Sequence, residues 1–137
     1  MTDELLVRSL LILICIEFEK IIKDNVRKKC VSVEDTSIRA FLESCVGSRV
    51  GGGIIRGVNS GEIADLLNRF GATHKLAFTQ NPKMSLYAVD SYNSIMSNRN
   101  LAAHSTQFHQ TLTDVKQYYR AGQVVLDCFV EALWYKT

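Results

Sequence analysis

The segment NRNLAAHS, residues 98–105, holds three side chains whose chemistry suits a phosphodiester group. His104 can accept and donate a proton near neutral pH, and Arg99 presents a permanently charged planar fork to phosphate oxygens. Asn100 can hold the imidazole or the phosphate in position. Because RNA carries its own nucleophile, the 2′-hydroxyl group, a base and a cation are sufficient to cleave its backbone without a metal ion. The three residue types therefore predict a phosphate-handling site, and RNA fits it as a substrate.

The spacing of these residues sets a condition on such a site. On an ideal α-helix, residues five positions apart diverge by about 140°, so Arg99 and His104 would not point the same way. Asn100 and His104, four positions apart, share a face. The arginine reaches the histidine if its long side chain wraps around the helix or if the helix loosens near His104. A purely structural role, in which Arg99 and His104 interact with the dipole at a helix C-terminus, stays open.

Two residues beyond His104 extend the candidate site. Ser105 follows the histidine directly, and its hydroxyl group can contact phosphate, although capping and turn formation also use serine. His109 lies five positions after His104 and is close enough in sequence to reach the same cleft. We take both as candidate substrate-binding residues.

The sequence predicts no metal ion and no other cofactor. No carboxylate cluster accompanies the candidate segment. The cysteines form no C-x-x-C pair and have no histidine at zinc-ligand spacing. We expect them to be buried as small apolar side chains in a reducing compartment. They are Cys15, Cys30, Cys45 and Cys128.

Length and composition favour a single domain over residues 1–137. Hydrophobic residues make up 47% of the chain, so it can build a core, and a net charge of +2 neither demands nor excludes a nucleic-acid partner. The apolar run 9–16 follows Asp3 and Glu4 rather than a basic segment, so it does not resemble a signal peptide. It is also far shorter than a membrane span. We therefore expect a cytoplasmic protein with no membrane partner.

The first predicted helix covers residues 3–28; its first part is apolar nearly all round, and beyond Glu17 the pattern becomes amphipathic. A helix of this kind is buried on more than one side, and in so small a domain a second protomer would cover the additional face. The stripe that we assign to the core consists of Leu6, Leu10, Leu13, Ile14, Glu17, Ile21 and Ile22.

Hydrophobic periodicity and capping residues predict four further helices. The third predicted helix of the chain begins after Asn59 as N-cap, with Glu62 three positions later, and it ends before Gly71. The last begins at a threonine cap, Thr111 or Thr113. The predicted ranges are 35–46, 59–71, a helix from about residue 82 to 99–104, and 111–134. Residues 47–61 form a glycine-rich connecting loop, which contains Arg49 and Arg56. Residues 73–82 lead into a turn. The expected architecture is an all-α four-helix bundle with insertions.

The segment SNRNLAAHS resembles the R-x4-6-H motif of HEPN domains, in which a polar residue follows the arginine and small residues precede the histidine. EFEKIIKD resembles the opening helix of that family. SGEIADLLNRFG is similar to the middle segment of the RiboL-PSP-type HEPN proteins, and FHQTLTDVKQYYRAGQVVLDCFVEAL is similar to the helix after the motif. The resemblance spans essentially the whole chain, and the R-x4-H segment is its specific part.

This resemblance implies an antiparallel four-helix bundle with short extra helices. It also implies a homodimer whose two motifs face each other across a shared cleft. The implied activity is metal-independent endoribonuclease action on RNA, in a toxin or an antiviral defence effector, with an antitoxin or another regulatory protein as a further partner. Arg99 carries over as the motif arginine, Asn100 as the polar second position and His104 as the motif histidine.

Some members of the family also use an acidic and a basic residue on the first helix. Glu17 with Lys20, or Glu19 with Lys23, would stand in that position, and we take Glu17 and Lys20 as candidate substrate-binding residues. Such charges also form an ordinary solvated helix face. A non-catalytic HEPN scaffold that binds RNA or a protein partner is the alternative function.

Overall fold

A computed structural model describes residues 3–40, 58–104 and 108–136 of the chain. Helices and turns account for these ranges and no strand lies among them, which confirms the predicted all-α class. Residues 36–40 are helical as well. The main helices are α1 (Asp3–Val31), α2 (Ser60–Phe70), α3 (Ala72–Thr79), α4 (Leu86–His104) and α5 (Leu112–Leu133).

The three long helices, α1, α4 and α5, pack against one another around a common core. Phe18 of α1 contacts both Tyr92 of α4 and Tyr119 of α5, and its ring centroid lies 5.8 Å from each of theirs. Further along α1, the Lys29 ammonium lies 5.0 Å from the centre of the Trp134 ring, just after α5. α1 therefore runs parallel to α5, and α4 runs antiparallel to both.

The two shorter helices, α2 and α3, follow each other directly and lie against α5. The start of α2 is fastened to α4: the Ser60 backbone N–H donates to Asn93 Oδ1 at 2.9 Å, and the Tyr92 hydroxyl donates to the carbonyl of Val58 at 2.7 Å. These bonds fix the middle of α4, the helix that carries the candidate segment.

The core-facing side of α1 differs from the predicted stripe. Leu6 and Leu13 are 49% and 62% exposed, and Glu17 is also exposed, whereas Ile14 and Ile22 are buried as expected. Because α1 is apolar on almost every side, periodicity alone could not select the buried face. The contacts of α1 with α4 and α5 select it. The buried set is Val7, Leu11, Ile14, Cys15, Phe18, Ile22, Val26 and Cys30.

Local capping confirms two of the predicted helix starts. The side chain of Asn59 accepts a hydrogen bond from the Glu62 backbone N–H at 2.9 Å at the start of α2, which ends before Gly71 with a φ of 147°. Thr111, rather than Thr113, caps α5. It forms a capping box with Asp114 through two bonds of 3.0 and 3.1 Å.

The sequence predicted that residues 73–82 lead into a turn and that a helix begins near Pro82. The structure instead forms α3 in the first part of this stretch and begins α4 later. Between α3 and α4, Asn81 forms a turn. Its side-chain Oδ1 accepts a hydrogen bond from the Lys83 backbone N–H at 3.0 Å, and its backbone carbonyl accepts one from the Met84 backbone N–H at 2.9 Å. These local bonds keep Pro82 outside the helix.

Several sequence-based predictions fall on residues 41–57, which lie outside the described residues. They are the end of the second predicted helix, Cys45, and most of the glycine-rich connection with Arg49 and Arg56. The other three cysteines are buried, as expected. Among the described helices, none has the length and apolar character required to cross a bilayer.

Gly122 marks the closest approach of α5 to the stacked rings. A Cβ atom here would lie 3.0 Å from Phe18 Cε2 and 3.4 Å from Ile95 Cδ1. We expect Gly122→Val to lower the free energy of unfolding by about 1–3 kcal/mol, because Phe18 must move. Urea denaturation measures the change. Ala121→Val, at the neighbouring partly exposed position, controls for valine in a helix and should cost less than about 1 kcal/mol. Equal stability of the two variants would contradict close packing at Gly122.

Candidate functional site

Arg99 lies on the side of α4 that faces α1, where its guanidinium forms an ion pair with the carboxylate of Glu19. The Arg99 side chain is 24% exposed and that of Glu19 is 15% exposed. Beside the pair, the Cys15 thiol lies 3.4 Å from the Met96 sulfur and 4.0 Å from Glu19 Oε1. The arginine of the motif is therefore held at the contact between α1 and α4, with part of its surface open to solvent.

The Cys15 thiol is not a candidate nucleophile. Burial, reinforced by the negative charge of Glu19, raises its pKa to about 11, although Arg99 acts in the opposite direction. A thiol with such a pKa is protonated at neutral pH, and the thiolate is the reactive form. Cys15 therefore contributes apolar packing next to the ion pair.

His104 is the last residue of α4 and is exposed. Because α4 is helical through this residue, the helix does not loosen as a shared site with Arg99 would require. The two residues point about 140° apart, and the Arg99 side chain is directed to Glu19. Within one chain, the structure therefore does not bring the guanidinium and the imidazole to a common point.

The other predicted site residues that the structure describes lie on α4, on α1 and in the connection before α5. Asn100 lies in the last part of α4. Ser105 is outside the described residues, and His109 is exposed in the connection before α5. Glu17 and Lys20 are exposed on α1.

The first-helix acid that contacts the motif arginine is thus Glu19, from the second of the two pairs that the sequence left open. Lys23, its predicted basic partner one turn later, is only partly exposed. Glu17 lies instead beside α5, in a groove that also contains Lys116 and Arg120.

The sequence analysis did not identify Arg8 as a functional residue. Its Nη1 atom donates hydrogen bonds to the carbonyl oxygens of Leu101 and Ala102, each at 3.2 Å. Its guanidinium carbon lies 5.1 Å from the centre of the Phe108 ring. The one signal in the sequence was a single cation in the mostly apolar first part of α1, residues 3–19. Periodicity cannot show that this cation meets a helix end 93 positions away.

The face of α4 that carries His104 also borders a polar groove with a volume of about 620 Å³. Ser97 lies in this groove, and His104 follows it by seven residues, or about two helical turns on the same face. The groove residues are Asn59, Asp90, Asn93, Ser94, Met96 and Ser97.

Within residues 3–40, 58–104 and 108–136, no three His, Cys, Asp or Glu side chains come together as a metal site. The chemistry that this region supports is proton transfer at His104 and charge stabilisation by a guanidinium. No family model matches the chain, and no curated protein and no solved structure is significantly similar to it. The resemblance to HEPN domains therefore rests on the motif and its surrounding segments.

The Glu19–Arg99 ion pair should couple the stability of α1 and α4. We expect a double-mutant cycle of Glu19→Ala and Arg99→Ala to give a coupling energy of about 1–3 kcal/mol, because a partly buried ion pair is screened less than an exposed one. Urea denaturation of the four proteins provides the measurement. The exposed pair Lys83–Glu131, with nitrogen and oxygen 2.6 Å apart, is the matched control and should show weaker coupling. Equal coupling in both cycles would mean that burial does not strengthen the Glu19–Arg99 pair.

Proposed function

We propose that this chain is a metal-independent endoribonuclease of the HEPN type. The observation that supports this most directly is the placement of the motif: Arg99 is fixed by Glu19 yet partly exposed, and α4 ends at an exposed His104. An arginine already fixed in position stabilises developing charge without first reorganising. This arrangement would thus retain both a cation, Arg99, and a proton-transfer group, His104.

In the proposed reaction, a neutral His104 removes the proton from a ribose 2′-hydroxyl group. The 2′ oxygen forms a bond to the adjacent phosphorus, and the bond from phosphorus to the 5′ oxygen breaks. A protonated histidine donates a proton to that leaving oxygen, while a guanidinium stabilises the charge on the phosphorane. The products are a 2′,3′-cyclic phosphate and a 5′-hydroxyl end.

The divergence of Arg99 and His104 within one chain favours a site shared between two copies. In such a dimer, the His104 of the second copy would supply the second proton-transfer group. The outward face of α1 is suited to this contact, because it exposes four large apolar side chains. They are Leu5, Leu6, Leu13 and Ile16.

Charge complementarity favours a second copy of the chain as the partner of this face. The adjoining groove between α1 and α5, about 590 Å³ in volume, contains one acid, Glu17, and two bases, Lys116 and Arg120. A twofold axis places the same patch on both sides of an interface, so the acid of each copy can meet a base of the other. The N-terminal part of α1 also lies next to the end of α4 through Arg8. Contact through this face would keep His104 near the interface.

The ion pair itself favours a second candidate function. Because Arg99 is already bound to Glu19, its charge is locally neutralised, and its role would then be to join α4 to α1. Under this alternative, the chain is a non-catalytic HEPN scaffold that binds RNA or a protein partner. RNA binding with no cleavage would support it.

Cleavage of a labelled RNA panel by the purified protein tests the ribonuclease proposal. We expect His104→Ala to lower the rate by about 10²-fold or more and Arg99→Ala by about 10²–10³-fold, with EDTA having no effect. Analysis of the RNA ends should find a cyclic phosphate and a 5′-hydroxyl group. Arg69→Ala, which removes an exposed arginine from α2, should retain the wild-type rate. Unchanged cleavage by a folded His104→Ala protein would refute the mechanism, and EDTA-sensitive cleavage would indicate a metal.

The oligomeric state tests the proposed role of α1. We expect a dimer in sedimentation-velocity experiments, and Leu13→Lys should shift it toward monomer because a charge would enter the apolar interface. Leu76→Lys makes the same substitution at a half-exposed leucine of α3 and should leave the dimer intact. A wild-type monomer at every concentration tested would argue against a site shared between two copies.

A further inference from the structure

The end of α4 requires hydrogen-bond donors from outside the helix. The last four carbonyl groups of an α-helix have no partner within it, and in α4 these belong to Leu101–His104. Arg8 of α1 donates from Nη1 to two of them, Leu101 O and Ala102 O, at 3.2 Å each. A guanidinium at this end also interacts favourably with the partial negative charge of the helix dipole.

The same guanidinium is fixed on its other sides. Its Nε and Nη2 atoms donate to Glu4 Oε1 at 3.3 and 2.9 Å, and its carbon lies 5.1 Å from the centre of the Phe108 ring. The Arg8 side chain is only 17% exposed. Arg8 thus contacts the chain both before His104, at Leu101 and Ala102, and after it, at Phe108.

From these contacts we infer that Arg8 is a positioning residue that fixes His104 by holding the last turn of α4 against α1. This rests on the proposed function, in which His104 transfers the proton. Because its hydrogen bonds and the Phe108 ring already occupy the guanidinium, Arg8 acts through the backbone and does not bind the phosphate.

The two arginines therefore have different tasks. Side chains on a helix lean toward its N-terminus, so Arg99, bound to Glu19, is directed away from the C-terminal end where His104 lies. Arg8 approaches that end from α1. Lysine could replace the charge of Arg8, but it lacks the planar fork that bonds two acceptors while stacking on an aromatic ring.

Amide hydrogen exchange, followed by NMR on the full chain, tests the positioning directly. We expect Arg8→Ala to accelerate exchange at least tenfold at residues 101–104 and to leave the middle of α4 unchanged. Arg8→Lys should produce a smaller acceleration, and Arg27→Ala, which removes an exposed arginine from the same helix, should produce none. If Arg8→Ala does not fold, Phe108→Leu removes the stacked ring, keeps the hydrogen bonds and should also loosen this turn.

RNA cleavage supplies the second measurement. Arg8→Ala should lower kcat at least tenfold with little change in KM, and Arg8→Lys should restore part of the loss. Unchanged exchange at residues 101–104 would overturn the inference whatever the activity. Faster exchange with unchanged kcat would also overturn it, while leaving the proposed ribonuclease function intact. If the wild-type protein does not cleave RNA, the proposed function fails, and hydrogen exchange alone decides whether Arg8 fixes the end of α4.

Discussion

The position of Phe18 between Tyr92 and Tyr119 determines how the three long helices meet. α1 could bury almost any of its sides, because apolar residues surround most of it. Stacking of one ring from each helix selects a single rotation of α1. Gly122 permits this arrangement, since it leaves room for the Phe18 ring beside α5.

This rotation of α1 also directs three further side chains toward α4. Arg8, Cys15 and Glu19 follow one another at intervals of seven and four residues, which places them along one side of the helix. Arg8 donates to the carbonyls in the last turn of α4, the Cys15 thiol lies beside Met96, and Glu19 forms an ion pair with Arg99. The same packing that forms the core therefore fixes the geometry of the candidate site.

The electrostatics of the site follow from these contacts. Glu19 offsets the charge of Arg99 where both are partly buried, a position in which an unpaired cation would be costly. Arg8 interacts with the helix dipole and with Glu4. His104 remains exposed at the end of α4. An exposed side chain at a helix end is accessible to molecules outside the bundle.

The sequence by itself determined the features that depend on neighbouring residues. Asn59 and Thr111 cap their helices through bonds to residues three positions away, and Gly71 ends α2 with a backbone conformation that favours glycine. The all-α class, and the end of α4 near His104, follow from the same local patterns. Only the tertiary structure decided which face of α1 is buried, that Glu19 rather than Glu17 meets Arg99, and that Arg8 reaches the end of α4. These contacts join residues 80 and 93 positions apart. They depend on the rotation of packed helices, and hydrophobic periodicity does not specify that rotation for the first part of α1, which is apolar on almost every side.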